Sequence, residues 1–134
     1  MPSLGDIISY KNFVFSDGDI ADKLFVVLNE DPCLVLKTTS KPHRYNKASQ
    51  GCNENLKVFF APISWQSCFK KDTYIQLPQI FEISTHELLS GGALGSDTIK
   101  ILKSQISDDC LPELINCLKQ FKEDIAEEHW ELIF

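Results

Sequence analysis

The sequence predicts a mainly β protein with α (α+β), a small, strongly bent antiparallel sheet or barrel with a C-terminal amphipathic helix. Three observations carry that expectation. Short apolar runs recur at close spacing between Gly5 and Ile106. Clusters of Asp, Gly, Asn and Pro separate them, supplying the backbone angles that chain reversals need. The one sustained stripe of helical spacing comes last, from Leu111 to Ile125.

The first strand is expected from Gly5 to Phe15, with Ile7, Ile8, Tyr10, Phe13 and Val14 as its apolar content, and Ser16 to Asp19 as the turn behind it. "LFVVL", Leu24 to Leu28, is a continuous apolar run of the kind that is buried on both faces. Asn29 to Pro32 turns the chain into a third strand, Cys33 to Leu36, whose continuation is the hydroxyl-rich "KTTS". Lys57 to Ile63 and Tyr74 to Ile83 add two more strands. Pro78 places the latter at an edge or breaks it, because proline cannot donate to a ladder.

Between them, Ser64 to Thr73 reads as a loop with Trp65 and Phe69 folded back onto the core. Ser84 and Glu87 form a capping box at the start of a helical turn, and "GGALG" at 91 to 95 ends it. Ile99 to Ile106 is expected as the last strand. Asp108 or Asp109 then caps the terminal helix, with Pro112 in its first turn. Leu111, Leu114, Ile115, Leu118, Phe121 and Ile125 form its apolar stripe, a lid for the sheet. The tail "EEHWELIF" docks either on the domain or on a partner.

With 134 residues, 43% of them hydrophobic, the chain suits one domain over 1–134, its barrel about 4–106 and its helix about 109–128. It has no eighteen-residue apolar run and no secretory pattern at its start, so a cytoplasmic protein with no membrane segment is expected. Cys33, Cys52, Cys68, Cys110 and Cys117 are odd in number and widely spaced, which argues against a disulfide framework and a zinc site and for reduced thiols near the core. P-loop, G-x-S-x-G and H-E-x-x-H patterns are absent from the sequence, and no metal or cofactor is expected.

The net charge of −6 is unevenly placed. From Ser104 onward eight acids face two lysines, so the rest of the chain balances. Within that balanced part, Lys37, Lys41, His43, Arg44 and Lys47 surround Tyr45 in a stretch without acids. Such a segment is either a solvated loop or a nucleic-acid contact, its cations neutralising phosphates and its ring stacking on an unpaired base.

"LGDII", "DGDIADKLFVVLN", "VLKTTS" and "FKKDTYIQLPQIFEIS", followed by a terminal helix, together resemble the MazF/PemK/Kid family of plasmid-maintenance and growth-inhibiting toxins over about 4 to 126. The resemblance implies an SH3-like antiparallel barrel, a homodimer, and a metal-independent endoribonuclease that cuts single-stranded RNA and is restrained by an antitoxin. It places Lys23 at the family's catalytic arginine and Thr38 at its catalytic threonine. Lys71 and Asp72 fall on the Arg-Asp pair of the later strand, and Gly5 and Asp6 on the opening Gly-Asp.

Three departures stand out. Lys23-Leu24 replaces an arginine–proline pair, exchanging a planar fork for a point charge. The connection from Lys41 to Asn55 is long, and Ser90 to Asp97 is a further insertion.

Cleavage would proceed by transesterification: a ribose 2′-hydroxyl attacks phosphorus and the 5′-oxygen leaves. Lys23 is able to supply charge or a proton, and Thr38, helped by Thr39 and Ser40, a hydrogen bond to phosphate. Lys41, His43 and Arg44 would contact RNA, with His43 a candidate second acid or base. The alternative is a catalytically inactive barrel that binds nucleic acid through Lys37 to Lys47 or engages a protein.

Overall fold

The computed structural model describes residues 2–14, 17–40, 47–62, 71–90, 98–105 (backbone only for 103–105) and 110–134. Seven strands form one antiparallel sheet: β1 (Asp6–Val14), β2 (Ile20–Asn29), β3 (Cys33–Thr39), β4 (Gly51–Asn53), β5 (Val58–Ala61), β6 (Thr73–Ile83) and β7 (Ile99–Gln105). Their order is β4-β5-β6-β3-β2-β1-β7. Among the described residues three α-helices accompany them: α1 (Thr85–Leu88), α2 (Cys110–Lys119) and α3 (Glu127–Ile133).

The sheet is mainly antiparallel β as expected, but its ladder is open: among the described residues β4 and β7 are not paired with each other. It is nonetheless sharply bent. Three strand spacings separate β1 from β6, roughly 14 Å in a flat sheet, yet the rings of Phe13 and Phe81 stand 5.5 Å apart, with Phe25 as the third corner of the aromatic cluster. Register shifts between Tyr10 and Phe13, between Val27 and Asn29 and between Leu36 and Thr38 provide the irregularities that coil the strands.

The run Leu24 to Leu28 divides as a doubly buried strand must. Val26 and Leu28 join Leu34, Leu36, Phe59 and Ile75 beneath α2, whereas Phe25 and Val27 join Ile8, Val35, Ile83 and Leu88 inside the curl. Full burial of one such side chain contributes about 1.5–3 kcal/mol. Pro78 lies in β6, which is flanked by both β5 and β3 and is not an edge. The ladder breaks there instead: Thr38 pairs with Ile75 while Leu36 pairs with Ile80, so the extra β6 residues bulge out around the proline.

The turn from β1 to β2 carries Gly18 at φ 90, a left-handed conformation that a side chain would strain. Asp17 accepts the Asp19 N–H through Oδ1 at 2.9 Å. The capping box of α1 forms as expected, with Glu87 N–H donating to Ser84 Oγ and Ser84 N–H donating to Glu87 Oε1, both at 3.1 Å.

Two expectations are corrected. The terminal helix is not continuous over 109–128. Tight bonds from Gln120 N–H to Cys117 O and from Phe121 N–H to Leu118 O end α2, a 3₁₀ turn spans Lys122–Asp124, and α3 follows. The break lets Phe121, Ile125, Trp130 and Ile133 all reach the cluster under α2, so the tail docks on this chain. Lys122 Nζ lies 4.0 Å from the centroid of Trp130.

The second correction concerns the thiols. Cys52 and Cys117 form a disulfide across a sequence separation of 65, tying β4 to α2, while Cys33 is a free, buried thiol and Cys110 is buried. Spacing could not reveal the pair, since the three-residue β4 carries no sequence pattern of its own.

Among the described residues, no helix is long and apolar enough to cross a membrane. The expectations for Phe15, Ser16, Trp65, Phe69, "GGALG" and the Asp108 or Asp109 cap lie outside the described residues.

Candidate nucleic-acid interface

In a strand, successive side chains alternate between faces, so the pairing register determines which residues stand together. One row crosses the sheet. Gly51 pairs with Phe60, Phe60 with Tyr74, and Tyr74 with Thr39. On the other side, Lys23 pairs with Tyr10 and Tyr10 with Ile99. Continuing the β2–β3 register beyond Phe25↔Lys37 sets Lys23 across from Thr39 and joins the two halves. Lys37 flanks the row on the same face, opposite Phe25.

Thr38 belongs to the other face. It pairs with Ile75, is only 3% exposed, and its Oγ1 donates to the Leu24 carbonyl at 2.9 Å. The two expected catalytic residues, Lys23 and Thr38, therefore project to opposite sides of the sheet. Thr39, expected only as a helper, is the threonine that shares a face with Lys23. Both Lys23 and Thr39 are half-buried, and Ser40 follows at the exposed end of β3.

Lys71 and Asp72 immediately precede β6 and are exposed. Because Tyr74 pairs with Thr39, they lie at the same end of the sheet as Thr39 and Ser40. The Lys71 carbonyl accepts the Thr73 hydroxyl at 2.9 Å, which fixes the turn into the strand. Lys41, His43 and Arg44 lie outside the described residues; the segment that carries them leaves β3 directly after Ser40.

Asp6, at the opening Gly-Asp, is buried and accepts the Ser3 N–H through Oδ2 at 2.8 Å, a structural position remote from the row. Gly5, at φ 85, donates its N–H to the Val27 carbonyl at 2.9 Å.

Phe60 and Tyr74 add a feature absent from the expected set. Their rings stack with centroids 4.6 Å apart and planes 7° from parallel. Tyr74 is buried beneath, and Phe60 is half-buried. The signal was present in "KVFFAPI" and "TYIQLP", where Phe59 and Ile75 go into the core and their neighbours must go to the opposite face. Without the pairing register, nothing in the sequence placed those neighbours beside Thr39.

At the inner end of the row, the Tyr10 hydroxyl donates to Glu87 Oε2 at 2.7 Å. Burial, then the Glu87 hydrogen bond and its charge, push the phenol from 10.0 up to about 12. Tyr10 is therefore neutral across the physiological range and acts as a donor, bracing β1 against α1.

Protein-family models and curated proteins give no match to the chain. Any functional assignment therefore rests on this geometry and on the motifs quoted above. Among the described residues, no group of His, Cys, Asp and Glu is placed to hold a metal ion.

Proposed function

We propose that the chain is a divergent MazF/PemK/Kid-like endoribonuclease, its bent sheet serving as an SH3-like barrel scaffold for metal-independent cleavage of single-stranded RNA. The observation that carries the proposal is the shared face of Lys23, Lys37 and Thr39 beside the Phe60–Tyr74 stack. Cations on such a face neutralise phosphates, and a ring edge or face at its border supports an unpaired base.

Cleavage on this face forms a bond from the ribose 2′-oxygen to phosphorus and breaks the bond from phosphorus to the 5′-oxygen. Lys23 faces the charge that develops on the phosphorane oxygens, and Thr39 donates a hydrogen bond to one of them. Ser40, Lys71 and Asp72 border the same end of the sheet. Lys41, His43 and Arg44, carried on the segment after Ser40, contribute RNA contacts; His43 takes the proton of the attacking 2′-hydroxyl, and Lys23 gives one to the leaving 5′-oxygen. A homodimer and a restraining antitoxin complete the expected set of partners.

The test is incubation of purified protein with end-labelled single-stranded RNA in excess EDTA. The proposal requires products with cyclic phosphate ends. It also requires Lys23→Ala and Thr39→Ala to abolish cleavage while Thr38→Val retains it.

The hydroxyl of Thr38, spent on the Leu24 carbonyl, favours a second reading in which the face binds RNA without cutting it. Steeply salt-dependent binding with intact RNA would support that reading. Absence of RNA affinity at low salt would exclude both.

A further inference from the structure

The turn between β2 and β3 separates two recesses that the RNA-directed reading does not use. On one side a groove of about 410 Å³ is lined by Leu4, Leu28, Ile115, Leu132 and Ile133. Leu4 and Leu132 are 49% and 45% exposed at its rim, an apolar surface that the described residues leave uncovered. On the other side a recess of about 250 Å³ is bounded by Glu82, Ser84 and Thr85. Glu30 and Asp31 belong to both walls, so the apolar groove opens onto a carboxylate-lined one.

The wider electrostatics have the same sign. The whole formal charge of the protein resides in the segment from Ser104 onward, and Glu127, Glu128 and Glu131 are exposed on α3, the helix that supplies Leu132 and Ile133 to the groove. The two lysines of that segment, Lys119 and Lys122, sit over the rings of Phe134 and Trp130. The seat itself is held by the fold. Leu4 N–H donates to Glu30 Oε1 at 3.3 Å, and Asn29 Nδ2 closes the turn on the Pro32 carbonyl at 2.9 Å.

We infer that this surface docks a segment of a partner protein in which bulky aliphatic side chains are flanked by lysine or arginine. The aliphatic groups fill the groove between Leu4 and Leu132, and the cations meet Glu30, Asp31 and Glu82. Charge complementarity selects this occupant. An acidic peptide or an anionic membrane would be repelled by the same carboxylates. The surface is independent of the Lys23–Thr39 row, so the inference stands or falls apart from the RNA reading.

The experiment uses the full chain and a fluorescein-labelled leucine–lysine peptide. Two controls replace its lysines with glutamate or its leucines with serine. The inference requires saturable binding of the first peptide only, weakening as salt is raised. Leu132→Glu and Glu82→Gln, both at exposed positions, should each lower that affinity about tenfold, the scale of a single docking hot spot, with far-ultraviolet circular dichroism unchanged.

Failure of the leucine–lysine peptide to bind overturns the inference. Equal binding of the leucine-free peptide overturns it too, since acidity alone would then explain the attraction. Equal binding of the glutamate peptide would show non-specific apolar adhesion. A dimer in sedimentation that Leu132→Glu dissociates would assign the groove to a second copy instead.

Discussion

The hydroxyl of Thr38 donates to the carbonyl of Leu24, 2.9 Å away across the β2–β3 ladder, and this bond turns the expected active-site threonine into a core residue. Thr39, one position later, points to the face that carries Lys23. The two threonines should therefore separate stability from function. Thr38→Val should cost about 1 kcal/mol, the net value of one hydrogen bond with its acceptor left behind, measured as a lower urea midpoint with RNA binding unchanged. Thr39→Val should weaken RNA binding or cleavage. The opposite assignment of the two effects would return the functional role to Thr38.

Phe60 supplies the exposed half of the aromatic stack and should be read by RNA bases. Phe60→Leu keeps an apolar side chain on β5 but removes the π-face, so binding to single-stranded RNA should fall by about 1–3 kcal/mol, the range for one base–aromatic stack. Titration of labelled RNA at fixed salt checks this. An unchanged affinity would confine recognition to the charges.

The disulfide between Cys52 and Cys117 holds a short edge strand against α2. A closed loop spanning 65 positions restricts the unfolded chain by about 4 kcal/mol in the chain-entropy description. Reduction, or Cys52→Ser, should thus lower the unfolding free energy by up to that amount, read as a lower denaturation midpoint. β4 should lose amide-exchange protection before β3 does, because among the described residues β4 is paired only to β5, whereas β3 is central.

The bond from Tyr10 to Glu87 couples folding to alkaline pH. The phenol titrates near 10.0 when unfolded and at about 12 when folded. Over that interval the unfolded chain binds fewer protons than the native one, so stability falls as pH rises. The contribution is intact below about pH 10 and lost towards pH 12. Tyr10→Phe should be less stable at neutral pH, through loss of the hydrogen bond, and should show a flatter decline over the alkaline interval. Chemical denaturation at a series of pH values tests both limbs.

Cys33 is buried, and burial followed by the charges of Glu82 and Glu87 raises its thiol to about 11. Thiolate is therefore withheld near neutrality. In the folded protein at pH 8, maleimide should leave Cys33 unlabelled, and it should react only after denaturant is added. Peptide mapping by mass spectrometry gives the readout.

The sequence by itself determined most of the strand and turn content, β4 excepted, because local chemistry is enough for it. "LFVVL" had to be buried on both faces, Ser84 and Glu87 had to cap a helical turn, and the Leu111 to Ile125 spacing had to cover the sheet. The hydroxyl-rich end of β3 stood out in the same way, whereas Lys23 entered only through the resemblance quoted above.

Tertiary structure decided what period-two alternation leaves open in a strand with two buried faces. When Leu34 and Leu36 go one way and Cys33 and Val35 the other, both are core, and apolarity cannot say which of Thr38 and Thr39 meets Lys23. Only the ladders from β2 and β6 fix that choice. The same holds for Phe60 beside Tyr74, for Cys52 reaching Cys117, and for the bulge that admits Pro78 to a strand paired on both sides. Each depends on residues far apart in the chain, and no local propensity records which strand will become a neighbour.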